Sequence, residues 1–239
     1  MRSTILVTLA GPNGGMTAKL VVTEDADGGV ITDAACKQAR TSALRWVSDA
    51  VGAKVPDYYW SLENAGHAAI PPIAGGSFFG AFAVAFLRAF VLNDLTPPNN
   101  RKPIERPDRI RRSTLAMIGI VKAVCLDTVA ISANGSSNGG FIAAGGLEQK
   151  MASLAADVRN PACILAWDED RPLGWTVEQW NGGHWDAVAG RARTVEPYER
   201  WTNASNKPLI IVRANDALDA IARLFELQRN GVKAAILPI

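Results

Sequence analysis

The sequence predicts an α+β fold of α/β-like character, formed by one compact domain over residues 1–239. Stretches of strand-like and helix-like composition alternate along the chain, and this alternation is typical of folds in which helices pack against a sheet. Apolar residues make up 48% of the sequence and charged residues 20%, as in ordinary globular domains. A chain of this length also buries a substantial hydrophobic core.

The strands are predicted where short runs are rich in β-branched, aliphatic or aromatic residues. These runs are residues 4–9, 18–23, 57–62, 127–133, 162–166, 208–213 and 234–239. The helices are predicted where apolar residues recur at helical spacing or where good helix formers cluster. They are residues 32–52, 78–92, 113–124, 147–156 and 216–230. The helix at 78–92 is apolar almost all round, which predicts deep burial.

Two segments lack this periodicity and are predicted to be insertions. The segment at about 93–112 contains four prolines and six basic residues, which indicates either a solvated loop or a basic loop that faces a substrate or partner. The Trp-rich segment, residues 173–206, contains four of the seven tryptophans. Those aromatic side chains either line a substrate groove or protein interface, or form a small satellite core.

The charge balance favours neither nucleic acid nor a membrane surface as a partner, because the formal net charge is only +2, from 25 basic and 23 acidic side chains. Arg88 lies within the apolar run 75–92, and Lys122 lies within the run 115–133. Such charges predict buried elements rather than membrane spans. No secretory signal is visible, which favours a cytoplasmic location.

The three cysteines, Cys36, Cys125 and Cys163, are far apart in the chain. Each lies in an apolar or helical run, so we expect buried free thiols, as is usual in a reducing compartment. No pair has the spacing of a metal site, and no Walker-type phosphate loop occurs. We therefore expect no metal and no cofactor.

Ser77 follows a Pro/Gly-rich break and precedes the apolar helix, in the string P-P-I-A-G-G-S-F-F-G-A. Glycines at such a place allow backbone angles that other residues avoid, and a helix start leaves N–H groups that stabilise developing negative charge. Ser77 is therefore a candidate nucleophile, with Gly75 and Gly76 as candidate oxyanion-site residues. The alternative is a helix-capping serine without chemistry. The G-x-S-x-G elbow of α/β-hydrolases is absent, because Phe79 stands at its last position.

Lys150 closes the string F-I-A-A-G-G-L-E-Q-K at the start of the predicted helix 147–156. A lysine serves as a general base when its surroundings lower its pKa toward neutrality, and apolar neighbours on a helix would do so. The alternative for an isolated lysine is a solvated position on the helix surface.

Together, the serine string and G-G-L-E-Q-K resemble the two signature segments of the catalytic domain of Lon-type serine proteases. Ser77 and Lys150 match the serine and the lysine of that family's Ser-Lys dyad. The strand D-T-V-A-I-S-A places Ser132 where the family has a threonine close to the lysine. The chain departs from the family at Ala74, which replaces an acidic residue, and at Asn134, which replaces the glutamate of T-G-E.

The resemblance implies a Lon-like fold and an ATP-independent serine endopeptidase. Neutral Lys150 would take the proton of Ser77, and Ser132 would orient the lysine amine. Backbone N–H groups around Gly76 would hold the oxyanion, and His67 is a rival base. The chain lacks a Walker A motif, so we expect a peptidase domain without an ATPase module. Its substrates would be flexible or partner-presented proteins, and the resemblance also suggests a homo-oligomer or a separate partner protein.

Two other functions are alternatives. Phe78 and Phe79 are bulky where the Lon family has Ala-Gly, so the chain could be an inactive relative that serves as a binding scaffold. The GHMP kinases of small molecules are similar in overall fold to the Lon catalytic domain. Their phosphate-binding loop is loosely matched by I-P-P-I-A-G-G-S, although G-G-L-E-Q-K is not part of their pattern.

Overall fold

The computed structural model describes residues 2–11, 14–23, 33–63, 76–95, 112–127, 129–156, 163–166, 174–189, 197–203 and 208–230. The helices in these ranges are α1 Ala34–Val51, α2 Phe79–Phe90, α3 Arg112–Ala123, α4 Leu147–Ala156 and α5 Ala217–Arg229. The strands are β1 Ser3–Gly11, β2 Gly14–Thr23, β3 Tyr59–Glu63, β4 Val129–Ser132, β5 Asn134–Gly135, β6 Phe141–Ile142, β7 Cys163–Ala166, β8 Thr176–Trp180, β9 Trp185–Ala187, β10 Tyr198–Thr202 and β11 Pro208–Val212. The prediction of a mixed α+β fold is confirmed.

Nine of the described strands form the main sheet, in the order β3-β2-β1-β4-β7-β11-β10-β8-β9. Its centre is parallel, because β4 pairs in parallel with β1 and β7, and β7 pairs in parallel with β11. The outer pairs on both sides are antiparallel. Strands β5 and β6 form a separate two-stranded ladder directly after β4. The carboxyl ends of the parallel strands meet at one edge, where ligand sites of open α/β sheets usually lie.

Helix α1 begins and ends at residues whose side chains or backbone suit a helix terminus. The Asp33 carboxylate accepts a hydrogen bond from the Cys36 N–H (2.8 Å), as N-cap side chains do. Gly52 has a φ of 74°, a left-handed conformation that glycine adopts without strain. One side of the helix then faces the core. The residues of that side are Cys36, Ala39, Ala43, Val47 and Val51.

Helices cover both faces of the main sheet. Ile5 and Val7 of β1 lie in the larger core, together with residues of α1, α2 and α5. Leu6 belongs to a smaller cluster with Met151 and Leu154 of α4. Since successive side chains of a strand point to opposite faces, α4 lies on the face opposite to α2.

Helix α2 is the centre of the larger core. Eleven of its twelve residues are buried, and Phe82 stacks on Phe86 with ring centroids 5.6 Å apart. Burying one such side chain stabilises the fold by about 1.5–3 kcal/mol. Among the described residues, Gly76–Asn93 is the one helical run with the length and hydropathy of a membrane span, and 78% of it is buried inside the protein. This burial agrees with the predicted core helix.

The Trp-rich segment contains regular structure that the sequence analysis missed. Its described residues include β8, β9 and β10, which extend the main sheet on one side. The tryptophans divide between two places. Trp201 is fully buried in the cluster beside α4, whereas Trp180 and Trp185 pack against each other on the β8–β9 hairpin, with ring centroids 5.2 Å apart.

The prediction of buried thiols holds for Cys36 and is wrong for Cys125. Cys36 is fully buried, and its burial, together with the nearby Asp33 carboxylate, raises the pKa of its thiol to about 11. Cys125 is exposed because it lies just beyond the end of α3. The side chain of Cys163, the predicted strand 234–239 and most of the predicted loop at 93–112 lie outside the described part of the chain.

Candidate active site

Ser77 lies in a 3₁₀ turn, Gly76–Phe78, that leads into α2, and it is partly exposed. Two backbone hydrogen bonds connect the start of α2 to the end of β4. The Ala133 N–H donates to the Ser77 carbonyl (3.2 Å), and the Gly80 N–H donates to the Ala133 carbonyl (3.1 Å). Ser77 is therefore anchored at the carboxyl end of β4, directly beside the residue that follows Ser132.

Gly80 lets α2 approach β4 this closely. A Cβ atom at this position would lie 2.9 Å from Ile131 Cγ2 and 3.0 Å from Ala133 Cβ, which is closer than ordinary van der Waals contact. A larger residue would push the helix away from the strand, and Ser77 would move with it. The sequence analysis assigned Gly80 no role.

Lys150 reaches the same strand end from the opposite face of the sheet. Helix α4 packs against β1 and β2, and Lys150 is only 3% exposed. Its Nζ donates a hydrogen bond to Ser132 Oγ (2.8 Å), and both groups are buried. The alternative of a solvated lysine on the helix surface is therefore wrong.

Gly145 and Gly146, directly before α4, explain how Lys150 reaches the carboxyl end of β4. Gly146 has a φ of 73°, in the left-handed region that favours glycine. Its carbonyl accepts a hydrogen bond from the Lys150 N–H (3.1 Å), so the chain turns into α4 at this point. Lys150 then lies in the first turn of α4, next to the buried Met151.

Ser132 and Ala133 are consecutive residues that connect the two predicted catalytic residues. Ser132 binds Lys150 through its side chain, and Ala133 binds Ser77 through its backbone. The predicted serine, lysine and supporting serine thus all have a contact at the carboxyl end of β4. Within the described ranges, Ser77 Oγ makes no hydrogen bond to Lys150 Nζ. His67, the rival base, lies outside those ranges.

The N–H groups of Gly76 and Ser77 are the candidate donors to an oxyanion. Neither group donates a hydrogen bond to any described residue, and α2 has no side-chain N-cap. A Cβ atom at Gly76 would lie 3.1 Å from Asn134 Oδ1, and Asn134 is held in place because its Nδ2 donates to the Ala143 carbonyl (2.8 Å). A side chain at position 76 would therefore press on Asn134. Gly75, the second predicted glycine, is not among the described residues.

A cavity of about 700 Å³ opens beside this group of residues. It lies between one side of α1, the loop that joins β5 to β6, and the start of α5. Phe79, two residues after Ser77, and Gly135, next to Asn134, both line it. Its volume is within the usual range of ligand sites. The described residues include no group of three or more His, Cys, Asp or Glu side chains that could hold a metal ion.

Comparison with known proteins does not identify a family. No protein-family model matches the chain, and no curated protein matches it. Ser77, Ser132 and Lys150 themselves are therefore the evidence for the function.

Reasoning from the sequence missed a buried ion pair near the same edge of the sheet. Glu199 is fully buried, and its carboxylate accepts hydrogen bonds from Arg213 (3.1 Å) and from Trp201 Nε1 (2.8 Å). The strand registers place Arg213 in the same row as Ser132, two strands further along the sheet. Glu and Arg residues are usually exposed, so no local pattern distinguishes these two from surface charges.

Proposed function

We propose that the protein is a serine endopeptidase of Lon-like fold that uses Ser77 as its nucleophile and Lys150 as its general base. The observation that carries the proposal is the hydrogen bond from the buried Lys150 amine to Ser132, at the strand end where Ser77 is anchored. Burying a lysine costs free energy, and lysines in such surroundings readily serve as general bases.

The different burial of the two serines supports different roles for them. Ser132 is 2% exposed, so its hydroxyl has no access to a substrate and serves to orient the lysine amine. Ser77 is partly exposed at the start of α2, so its hydroxyl can reach a peptide bond. This division is the one that the resemblance to Lon-type proteases implies.

The reaction begins when the neutral Lys150 amine takes the proton of the Ser77 hydroxyl, and Ser77 Oγ forms a bond to the peptide carbonyl carbon. Burial disfavours the ammonium form of a lysine, which helps to supply the neutral base. The negative carbonyl oxygen is held by the N–H groups of Gly76 and Ser77. Catalytic hydrogen bonds often tighten only when substrate is bound, and we expect the Ser77–Lys150 contact to form at that stage.

The intermediate then collapses to an ester. The Lys150 ammonium gives its proton to the leaving amine as the C–N bond breaks, and the acyl group stays on Ser77. Water attacks this ester while Lys150 acts as base again, which releases the carboxylic acid and restores the Ser77 hydroxyl. This cycle needs neither ATP nor a cofactor.

The setting of the reaction is also part of the proposal. The substrate would be a protein or peptide that is flexible or is presented by a partner protein, in the cytoplasm. A homo-oligomer would fit the resemblance to Lon-type proteases. Neither a nucleic acid nor a membrane is required.

Two assays test the proposal. One is labelling by a fluorophosphonate probe, which reacts with activated serine hydroxyls, and the other is hydrolysis of fluorescently labelled casein. We expect labelling at Ser77, no labelling or hydrolysis in Ser77→Ala, and at least about a 100-fold loss of both in Lys150→Met. Matched controls are Ser61→Ala on β3 and Lys122→Met on α3, which remove a serine and an exposed lysine outside the site. Casein hydrolysis that persists in Ser77→Ala would contradict the proposal.

A binding scaffold without activity is the second candidate, and two observations favour it. Ser77 Oγ is not hydrogen-bonded to Lys150 within the described residues, and Phe78 and Phe79 are buried directly after Ser77. A scaffold would show neither probe labelling nor hydrolysis, and Ser77→Ala would bind peptides as the unchanged protein does. Tight ATP binding in solution would instead support the kinase alternative.

A further inference from the structure

One side of α1 borders the cavity that adjoins the start of α2. Four polar side chains of α1 line it, and their spacing of three or four residues puts them on one side of the helix. They are Gln38, Ser42, Arg45 and Asp49. The first and last are separated by about 16 Å along a helix axis. Because an extended peptide rises about 3.3 Å per residue, about five residues of peptide fit along this side.

The cavity adjoins the helix start that carries the proposed nucleophile. Phe79 lines the cavity and belongs to the same helix start as Ser77. On the opposite wall, Gly135 lines the cavity and follows Asn134, whose Oδ1 approaches Gly76. A peptide in the cavity therefore lies next to the turn that carries Ser77.

The two walls of the cavity are in direct contact with each other. Trp46 of α1 packs on Gly139 of the β5–β6 loop so closely that a Cβ atom at Gly139 would lie 1.6 Å from Trp46 Cδ1. Gly139 also has a φ of 81°, which favours glycine over any other residue. The loop is thus fitted to α1, and the cavity is formed before a ligand arrives.

The charged side chains among the described lining residues are two carboxylates and one guanidinium. Arg45 and Asp49 form no ion pair with any described residue. Asp216 uses one carboxylate oxygen to cap α5 by accepting from the Asp219 N–H (2.9 Å). The described part of the lining is therefore negative by one charge, although the whole chain is positive by two. A basic side chain is the complementary ligand.

We propose that this cavity binds an extended peptide segment of about five residues that carries a lysine or arginine side chain, held by Asp49 and Asp216. This proposal rests on the proposed function, which makes the ligand a peptide. The bound segment would lie beside the peptide bond that Ser77 attacks. The enzyme would then favour basic, hydrophilic segments of unfolded proteins over apolar ones.

The test measures peptide binding without hydrolysis, by fluorescence anisotropy on the Ser77→Ala protein. The probes are two fluorescein-labelled heptapeptide pools with randomised flanks and a fixed central lysine or a fixed central glutamate. We expect the lysine pool to bind about ten-fold more tightly than the glutamate pool, since two exposed charge pairs contribute a few-fold each. The double variant Asp49→Asn/Asp216→Asn should lose most of this preference, and asparagine at position 216 still caps the helix. Arg45→Gln should instead raise the affinity for the lysine pool about two-fold.

The matched control is Asp127→Asn, which removes an exposed carboxylate at the opposite end of β4. Equal binding of the two pools, absence of binding, or a preference that the double variant keeps would overturn the proposal. A failure of the proposed peptidase activity gives a different result from a failure of the peptide site. If casein hydrolysis does not depend on Ser77 but the charge variants change the preference as expected, the peptide site stands and the peptidase falls.

Discussion

The two faces of the main sheet differ in what they bury. The face toward α1, α2 and α5 is almost wholly apolar, with α2 at its centre. The face toward α4 contains six of the eight buried polar or charged residues in the described part of the chain. They are Thr8, Thr17, Ser132, Lys150, Glu199 and Arg213. Because buried polar groups cost free energy unless they are paired, we infer that the apolar face mainly stabilises the fold, whereas the α4 face holds the proposed base, Lys150, for Ser77 at the start of α2.

The strand registers explain how these polar groups come together. Thr8 pairs with Thr17 across the β1–β2 hairpin, and one further residue of the β1–β4 register places Thr8 beside Ser132. Thr17 Oγ1 also lies 3.3 Å from Ser153 Oγ of α4. A row of polar side chains thus crosses the sheet under α4, at the end of β4 where Ser77 is anchored.

Replacing Lys150 is the strongest test of the difference between the two faces of the sheet. Lys150→Met keeps a long side chain but removes the proposed base, so we expect hydrolysis to fall by about 10²–10⁴-fold. The free energy of unfolding should fall by at most about 1–3 kcal/mol, because the buried Ser132 hydroxyl loses its partner while an apolar side chain of similar size fills the space. Peptide hydrolysis and urea denaturation measure the two effects. A large loss of stability with activity retained would show that the lysine is structural.

Removing the carboxylate of Glu199 should destabilise the α4 face without removing its chemistry. Glu199→Gln takes the counter-charge from the buried Arg213, and breaking a buried pair costs about 3–5 kcal/mol. The control is Glu178→Gln, because Glu178 pairs with Arg200 where both side chains are about one-third exposed. That change should cost at most about 1 kcal/mol. Similar losses of unfolding free energy in Glu199→Gln and Glu178→Gln would contradict the distinction between a buried and a partly exposed ion pair.

A smaller effect is expected from the hydroxyl of Thr8. Thr8 Oγ1 is buried and makes no hydrogen bond to any described residue, so Thr8→Val should raise the free energy of unfolding by about 1 kcal/mol. Thr17→Val is the matched control on the neighbouring strand, and it should lower the free energy of unfolding, because Thr17 has a partner in Ser153. Thermal denaturation of both variants measures whether the free energy of unfolding rises in Thr8→Val and falls in Thr17→Val.

The smallest expected effect is a difference in alkylation between the thiols of Cys36 and Cys125, which leaves folding and activity unchanged. Alkylation depends on the thiolate, and the pKa of the buried Cys36 thiol is raised to about 11. At pH 8, iodoacetamide should therefore modify the exposed Cys125 and leave Cys36 intact, and Cys36 should react in folded protein only as the pH approaches 11. Mass spectrometry of the digested protein measures both sites. Equal modification at pH 8 would show that the apolar face admits water.

Local signals in the sequence predicted most helices and the two ends of the candidate site. Asp33 and Gly52 delimit α1 because capping depends only on neighbouring backbone groups. The all-round apolar character of α2 predicted its burial. The string G-G-L-E-Q-K marked Lys150, and the glycines before Ser77 marked a helix start.

Other features could not be predicted from local patterns. Strands β8 and β10 carry the paired Glu178 and Arg200 on one face, so their apolar residues do not alternate clearly. Glu199 and Arg213 look like surface charges until the strands pair. Cys125 lies in an apolar run, but the end of α3 leaves it in water.

The sequence by itself determined most of the helices and strands of the core, and it singled out Ser77 and Lys150 as candidate catalytic residues. These properties depend on neighbours within a few positions of the chain. Only the tertiary structure decided that Lys150 is buried, that its amine binds Ser132, and that Ser77 is anchored to the next residue. Strand register and the close approach at Gly80 set those contacts, and both depend on residues that are far apart in the sequence.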